Sequence, residues 1–189
     1  MMEKLIGVVA LYAVPFLLAF AAIMDIMYRR IPNKVVLALF LLFFPTAWLA
    51  GLGWEQVLEH LVVFAVLLVV GFLLFLPGWF GSGDGKMLAV CGLWLGWPET
   101  QDFLVMTVLL GGLYAFVKLI ADSLLFEGGI WFPRLAEGRL GRLLFGRKIT
   151  IPYGVPLAAG ILAVLPLSLW AKVHLMNEGM AGVRMAAGF

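Results

Sequence analysis

Six apolar segments, separated by short stretches rich in glycine, proline or charge, constrain the fold of this chain more than any other feature. A bilayer core about 30 Å thick requires roughly 20 apolar residues per spanning helix. Because 64% of the 189 residues are apolar and only 13% are charged, a separate soluble domain is not expected. The pattern predicts an all-α, polytopic integral membrane protein with about six transmembrane helices. The predicted spans are Leu5–Met24, Val35–Ala50, Val57–Leu76, Met87–Trp97, Phe103–Ala121 and Ile151–Trp170.

We interpret residues 1–189 as a single membrane-embedded domain in which the fourth span is the shortest. As an α-helix, Met87–Trp97 would reach only about 17 Å, which is short for a full crossing. Residues 171–189 are rich in glycine, alanine and methionine, and we expect them to form a flexible C-terminal tail.

Basic residues predict the orientation of these spans. Cytoplasmic loops are enriched in Lys and Arg, so the more basic set of loops is assigned to the cytoplasm. The loops after the first, third and fifth spans carry most of the basic residues: Arg29, Arg30, Lys34, Lys86, Arg134, Arg139, Arg142, Arg147 and Lys148. The alternate set carries only Lys4, Lys172 and Arg184. We therefore expect both termini to lie outside the cytoplasm.

The stretch between the fifth and sixth spans has a different pattern. In Leu135–Arg147, the apolar residues fall roughly along one helical stripe, while Arg139 and Arg142 lie elsewhere. The pattern predicts an amphipathic helix at the cytoplasmic membrane surface, held there by anionic lipids.

Two acidic residues border the apolar segments. Asp25 follows the first segment, and Asp84 lies in the glycine-rich sequence Gly81–Lys86. Only two predicted spans separate them, so both acids are expected at the cytoplasmic boundary of the membrane. A carboxylate at the edge of a bilayer is costly, and its presence there indicates a functional site.

A pair of carboxyl groups at one depth is what an aspartic protease needs. Like charges in close proximity do not both ionise easily, so the pair titrates as a unit with one raised pKa. The ionised group can take a proton from water while the protonated group polarises a peptide carbonyl. This chemistry needs no metal and no cofactor, and we expect neither. The glycines would let an extended substrate backbone approach; Phe80 and Met87 occupy positions where a phosphate-binding loop requires Gly and Ser or Thr.

Two motifs together carry a family resemblance. Asp25 is followed by Ile31–Asn33, and Gly81–Lys86 opens an apolar segment. This combination resembles the type IV prepilin peptidase family, the membrane aspartic proteases with a GxGD motif. Ile151–Gly154, at the start of the last span, is similar to the short members of the family that serve Flp or tight-adherence pili.

The resemblance implies that Asp25 and Asp84 are the catalytic pair. It also implies a set of residues that shape the loop or bind substrate: Gly81, Gly83, Gly85, Lys86, Pro32 and Asn33. The expected partner is a prepilin or pseudopilin precursor, whose short basic leader would be cut at the cytoplasmic face of the inner membrane. Longer members of the family carry paired CxxC motifs and methylate the mature pilin. This chain has one cysteine, Cys91, so we predict cleavage without a zinc-bound domain or methylation.

Other functions remain compatible with the sequence. Archaeal preflagellin peptidases share the two aspartates, so the motifs do not separate a pilin substrate from a flagellin-like one. A proton-coupled membrane transporter would also contain costly acids, although transport sites usually lie near the midplane. Asp84 could serve only as a helix cap, and Asp25 could be a solvated loop acid paired with Arg29. Membrane lipids are expected partners and nucleic acids are not, while the oligomeric state is left open.

Overall fold

The computed structural model describes residues 9–122, 153–168 and 170 of the chain. These residues form six α-helices and no strand, which confirms the predicted all-α class: α1 Val14–Tyr28, α2 Asn33–Leu49, α3 Trp54–Phe75, α4 Ser82–Leu95, α5 Trp97–Asp122 and α6 Gly154–Val164. A π-helical turn, Val9–Ala13, precedes α1, and a 3₁₀ turn, Leu165–Leu167, follows α6. The amphipathic helix predicted at Leu135–Arg147 and the tail predicted at 171–189 lie outside the described residues.

Two helices are long and apolar enough to cross a bilayer, namely α3 over Trp54–Phe75 and α5 over Trp97–Val117. Helices α1, α2 and α6 are apolar but shorter. Many large apolar side chains of α3 and α5 are exposed: Val62, Val66, Val69, Phe72, Val105, Val108, Leu109 and Phe116. An apolar surface of this extent is unfavourable in water, so it indicates a membrane location. The six crossings and their orientation remain predictions.

Helix α4 is the short helix at the centre of the bundle. It spans 14 residues, a length of about 21 Å, so it is short as predicted, although α6, with 11 residues, is shorter. All residues from Met87 to Leu95 are buried, because α2, α3, α5 and α6 pack around them.

Glycines bring α3 and α4 into backbone contact. A Cβ atom added to Gly71 would lie 2.6 Å from the Cα of Gly85, and one added to Gly85 would lie 3.1 Å from the Gly71 carbonyl. Farther along α4, Gly92 lies against Leu67 and Val63 of α3. Small residues permit such close approach of helices in membranes, so a larger side chain at either crossing position would push α3 away from α4.

Chain reversals bring several helix ends together. Arg29, with a left-handed φ of 54°, ends α1, and Pro32 is the N-cap of α2. Gly78, with a φ of 78°, lies in the connection from α3 to α4. As a result, the C-terminus of α1 and the N-termini of α2 and α4 lie at one end of the bundle, where α6 also begins.

A buried aromatic cluster, formed by Phe43, His60, Trp94 and Trp170, closes the opposite end. The Trp94 N–H donates a 3.0 Å hydrogen bond to the Leu39 carbonyl, and His60 Nδ1 lies 2.7 Å from the Leu93 carbonyl oxygen. The Trp170 N–H bonds to the carbonyl of Trp94. Both tryptophan N–H groups and His60 Nδ1 therefore have backbone partners, which gives His60 a structural role in the cluster.

The first and last helices end at places that differ from the predicted spans. Helix α1 continues to Tyr28, so Asp25 lies in its last helical turn and not in the loop that follows. Helix α6 ends at Val164, before the predicted limit at Trp170. Pro166 explains this early end, because proline has no N–H for the helical hydrogen bond and disfavours helical geometry in the residue before it.

Candidate active site

Asp25 is buried at the C-terminal end of α1, with 6% of its surface exposed. Its Oδ2 atom accepts a 2.9 Å hydrogen bond from the backbone N–H of Gly154, the first residue of α6. The first N–H groups of a helix lack helical partners and carry partial positive charge, which favours a carboxylate. The alternative of a solvated loop acid is therefore wrong, since another helix covers this carboxyl group.

Gly154 has no room for a side chain. A Cβ atom there would lie 2.8 Å from Asp25 Oδ2 and 2.9 Å from Asp25 Cβ, so any other residue would displace the carboxyl group or α6. Sequence reasoning gave Gly154 no individual role. The local signals were a glycine at the start of an apolar segment and its place in the Ile151–Gly154 segment, and 129 positions in the chain separate Gly154 from Asp25.

Asp84 is the third residue of α4 and folds back toward the residue before the helix. Its Oδ2 atom accepts a 3.1 Å hydrogen bond from the N–H of Gly81, as an acidic residue does in a capping box. A Cβ atom on Gly81 would lie 2.7 Å from the same oxygen. The geometry thus includes the helix cap considered for Asp84, and a cap at this position does not prevent a chemical role.

The glycine-rich segment around Asp84 is helical, which corrects the prediction of a loop followed by a helix from Met87. Gly81 has extended backbone angles as the N-cap, and α4 begins at Ser82. The bond from Gly81 to Asp84 closes the first turn, and the contact between Gly85 and Gly71 holds it against α3. These contacts offset the low helix propensity of glycine.

Both acids line an open cleft of about 460 Å³ at this end of the bundle. The walls come from the end of α1, the turn after it and the first residues of α2 and α4: Asp25, Arg29, Arg30, Ile31, Asn33, Gly81, Ser82, Gly83, Asp84 and Lys86. Lys86 Nζ donates a 3.2 Å hydrogen bond to Asn33 Oδ1, which joins α4 to α2. The structure thus brings the two predicted acids into one cleft.

Burial raises the pKa of both carboxyl groups, which lie outside the predicted spans. The pKa of Asp84 rises to about 7, first because the group is buried and second because the charge of Asp25 is near; the hydrogen bond from Gly81 opposes the rise. The pKa of Asp25 is also raised by burial, while the N–H of Gly154 and the charge of Arg29 oppose this. The two groups interact, so the pair titrates as a unit.

The sequence pattern of the type IV leader peptidase family matches residues 12–116, more than half of the 189-residue chain. The chain belongs to the type IV leader peptidase family. This confirms the resemblance carried by the two motifs, and it identifies the protein as a protease with a protein substrate. No curated protein and no solved structure matches the chain. The matched residues include Asp25 and Asp84, whereas Gly154 lies beyond them.

Of the residues predicted to shape the loop or bind substrate in this leader peptidase, some line the cleft and others lie outside it. Gly81 and Gly83 line the cleft, and a Cβ atom on Gly83 would lie 3.2 Å from the Cβ of Ile31. Gly85 is buried against α3 and does not line the cleft. Pro32 also lies outside the cleft lining, as the extended N-cap of α2. Gly85 and Pro32 therefore shape the helices around the site and do not line it.

Four residues line the cleft although they were not among the predicted site residues: Arg29, Arg30, Ile31 and Ser82. Sequence reasoning interpreted the two arginines as orientation signals. Arg29 lies four residues after Asp25, and this helical spacing was the available sign of a further role, because the charge of Arg29 acts on the pKa of that carboxyl group.

The part of the chain that the structure describes contains no group of three or more His, Cys, Asp or Glu side chains that could hold a metal ion. Cys91 is buried in the middle of α4, as expected for a packing residue. The described site consists of two carboxyl groups, two glycine N–H donors and the basic residues around the cleft.

Proposed function

We propose that this protein is an aspartic endopeptidase that removes the short basic leader from prepilin-like precursors at the cytoplasmic face of the inner membrane. The observation that carries the proposal is the presence of Asp25 and Asp84 in one open cleft, with the pKa of Asp84 raised to about 7. Membership of the type IV leader peptidase family supports the peptidase activity. The basic residues beside the cleft support the cytoplasmic side.

In the free enzyme we assign the negative charge to Asp25 and the proton to Asp84. Asp25 receives the N–H of Gly154 and the charge of Arg29, both of which favour a carboxylate. Burial raises the pKa of both groups and one glycine N–H opposes the rise at each, so the neighbouring charge makes the difference: Arg29 lowers the pKa of Asp25, whereas Asp25 raises the pKa of Asp84. Asp25 would then act as the general base and Asp84 as the general acid.

Peptide hydrolysis by this pair is balanced without a further reactant. Asp25 takes a proton from water as the water oxygen attacks the scissile carbonyl carbon, and Asp84 gives its proton to the carbonyl oxygen. When the tetrahedral intermediate collapses, Asp25 passes its proton to the leaving nitrogen and Asp84 takes back a proton from the hydroxyl group. The carbon–nitrogen bond breaks, one water is consumed, and both carboxyl groups return to their starting forms.

Cleavage of a purified precursor tests this function. The full-length protein in detergent or liposomes would be mixed with a prepilin precursor, and the products would be followed on a gel and by mass spectrometry. We expect Asp25→Asn and Asp84→Asn each to lower kcat by about 10²-fold to 10⁴-fold or more, as for loss of a general acid or base. Asp102→Asn is the matched control, because Asp102 is an exposed acid on α5 outside the cleft.

Each result bears on a different part of the proposal. Unchanged cleavage by one Asn variant would remove that residue from the catalytic pair. A wild-type protein that cuts preflagellin and no prepilin would reassign the substrate class. A wild-type protein that cuts no precursor but carries protons across vesicles would establish the transporter alternative.

A further inference from the structure

An apolar notch of about 150 Å³ lies between α3 and the first turn of α4. Its apolar walls are Leu68, Phe72 and Phe75, which are 38%, 57% and 44% exposed. The glycines Gly71 and Gly85 also line it, at the point where the two helix backbones touch. A Cβ atom on either glycine would meet the backbone of the other helix, so a larger residue at either position would separate the helices that form the notch.

The notch and the catalytic cleft share two lining residues. Ser82 and Lys86 belong to both, and residues four apart lie on the same side of a helix. Asp84 stands between them in sequence and lines only the cleft. A peptide that crosses the first turn of α4 would therefore meet Asp84 on one side of the turn and the notch on the other.

We propose that the notch binds the apolar side chain that follows the scissile bond of a membrane-anchored precursor. This role rests on the proposed function and adds the residues that recognise the substrate. An apolar space of about 150 Å³ holds a molecule the size of benzene, so the notch accepts one aromatic or branched aliphatic side chain.

The position of the notch explains why this occupant fits. It opens on the side of α3 whose apolar residues are exposed, and α3 is one of the two helices long enough to cross a bilayer. A precursor held in the membrane by an apolar helix could lie along α3, place its first apolar side chain in the notch and present the preceding peptide bond to the acids. Only an apolar segment that continues from the scissile bond meets both requirements.

Changing the size of the notch tests this inference. Full-length protein would be assayed with precursors that differ only in the residue after the cleavage site, namely Ala, Leu, Phe or Trp. Phe72→Ala enlarges the notch and Leu68→Trp fills it. Leu73→Trp is the matched control, because Leu73 is on the same helix, is 56% exposed and does not line the notch.

We expect the wild type to prefer Leu or Phe over Ala by about tenfold in kcat/KM, as apolar pockets do. Phe72→Ala should shift the preference toward Trp, and Leu68→Trp should shift it toward Ala, each by about tenfold. Leu73→Trp should keep the wild-type ratios.

Unchanged ratios in both notch variants, or equal changes in Leu73→Trp, would overturn the inference. If the wild type still cuts and Asp84→Asn does not, the proposed function stands while the notch inference fails. If no precursor is cut, both fail together. Rates that follow the acyl-chain length of the liposome and not the substrate residue would assign the notch to lipid and overturn the inference as well.

Discussion

The two ends of α4 have opposite surroundings. At its first turn, Asp84 and Asp25 line an open cleft, and burial raises the pKa of both. At its last turn, about 15 Å along the helix, Trp94 is completely buried and its N–H bonds to the Leu39 carbonyl. His60 and Trp170, in the same aromatic cluster, also have backbone carbonyls as partners.

The difference indicates that one end of α4 contributes mainly to stability and the other mainly to activity. Buried polar groups cost little when they are hydrogen-bonded, so the aromatic cluster can hold helices together through packing. Burial of the two carboxyl groups raises their pKa instead, and active sites commonly give up stability for function. We therefore expect substitutions in the cluster to lower stability and substitutions at the cleft to lower activity.

The largest expected effect on stability is at the closed end. Trp94→Ala should lower the free energy of unfolding by about 3–5 kcal/mol, because it leaves a large void and removes the bond to Leu39. Thermal unfolding in detergent would measure the change. Trp97→Ala is the control, since Trp97 is 53% exposed, and it should have a much smaller effect. Equal losses in the two variants would contradict a packing role for the cluster.

At the open end, Gly154→Ala should lower activity more than stability. The added Cβ would lie 2.8 Å from Asp25 Oδ2, and displacing a catalytic group by about 1 Å can cost about 10²-fold in rate. The measurement is kcat on a precursor, with Gly112→Ala as control because nothing lies within 4 Å of a Cβ at Gly112. If Gly154→Ala keeps the wild-type kcat, the bond to Asp25 has no catalytic importance.

A smaller effect is expected on the pH dependence of stability, to which Asp84 contributes at the open end of α4. Folding raises the pKa of Asp84 from 3.8 to about 7, so the folded state binds more protons than the unfolded state between these values. Its contribution is therefore fully present below about pH 4 and is lost as the pH rises to about 7. Asp25 acts in the same direction, because its pKa is also raised.

Asparagine at position 84 should remove most of this dependence. We expect the Tm of the wild type to fall more between pH 4 and pH 7 than the Tm of Asp84→Asn, which should be the more stable protein at pH 8. Asp102→Asn should keep the wild-type slope. Parallel curves for wild type and Asp84→Asn would show that the carboxyl group is not held protonated by the fold.

The smallest effect is expected at the rim of the cleft. Lys86 is exposed and bonds to Asn33 at 3.2 Å, and such a bond contributes about 0.5–1.5 kcal/mol. Lys86→Met and Asn33→Ala should each reduce kcat/KM by less than about tenfold, with the double variant no worse than either single one. Lys34→Met, an exposed control outside the cleft lining, should match the wild type. Additive losses would mean that the two residues act independently.

The acids and the apolar helices could be predicted because both are local features of the sequence. A carboxylate beside an apolar segment is conspicuous, and the spacing of apolar runs indicates helices. The start of α4 could not be predicted in this way, since three glycines at 81, 83 and 85 favour a loop on propensity alone. The helical turn depends on the cap by Asp84 and on the contact of Gly85 with Gly71, and the second of these is tertiary.

The prediction and the structure differ at two other places, the end of α6 and Gly154, and the causes are not the same. The early end of α6 had a local sign in Pro166, which the length of the apolar segment obscured. The role of Gly154 had no comparable sign, because its partner Asp25 lies on the first helix of the fold. Contacts between distant segments follow from packing, and one sequence contains no pattern that reports them.

The hydrogen bond from Gly154 to Asp25 also bears on the order in which the enzyme becomes active during synthesis. Both acids leave the ribosome well before residue 154, and until then Asp25 lacks the amide that favours its charge. We expect a nascent chain that already contains Asp25 and Asp84 to remain inactive until the start of α6 has entered the membrane. The late-emerging glycine would thus delay proteolysis until the helices around the cleft are in place.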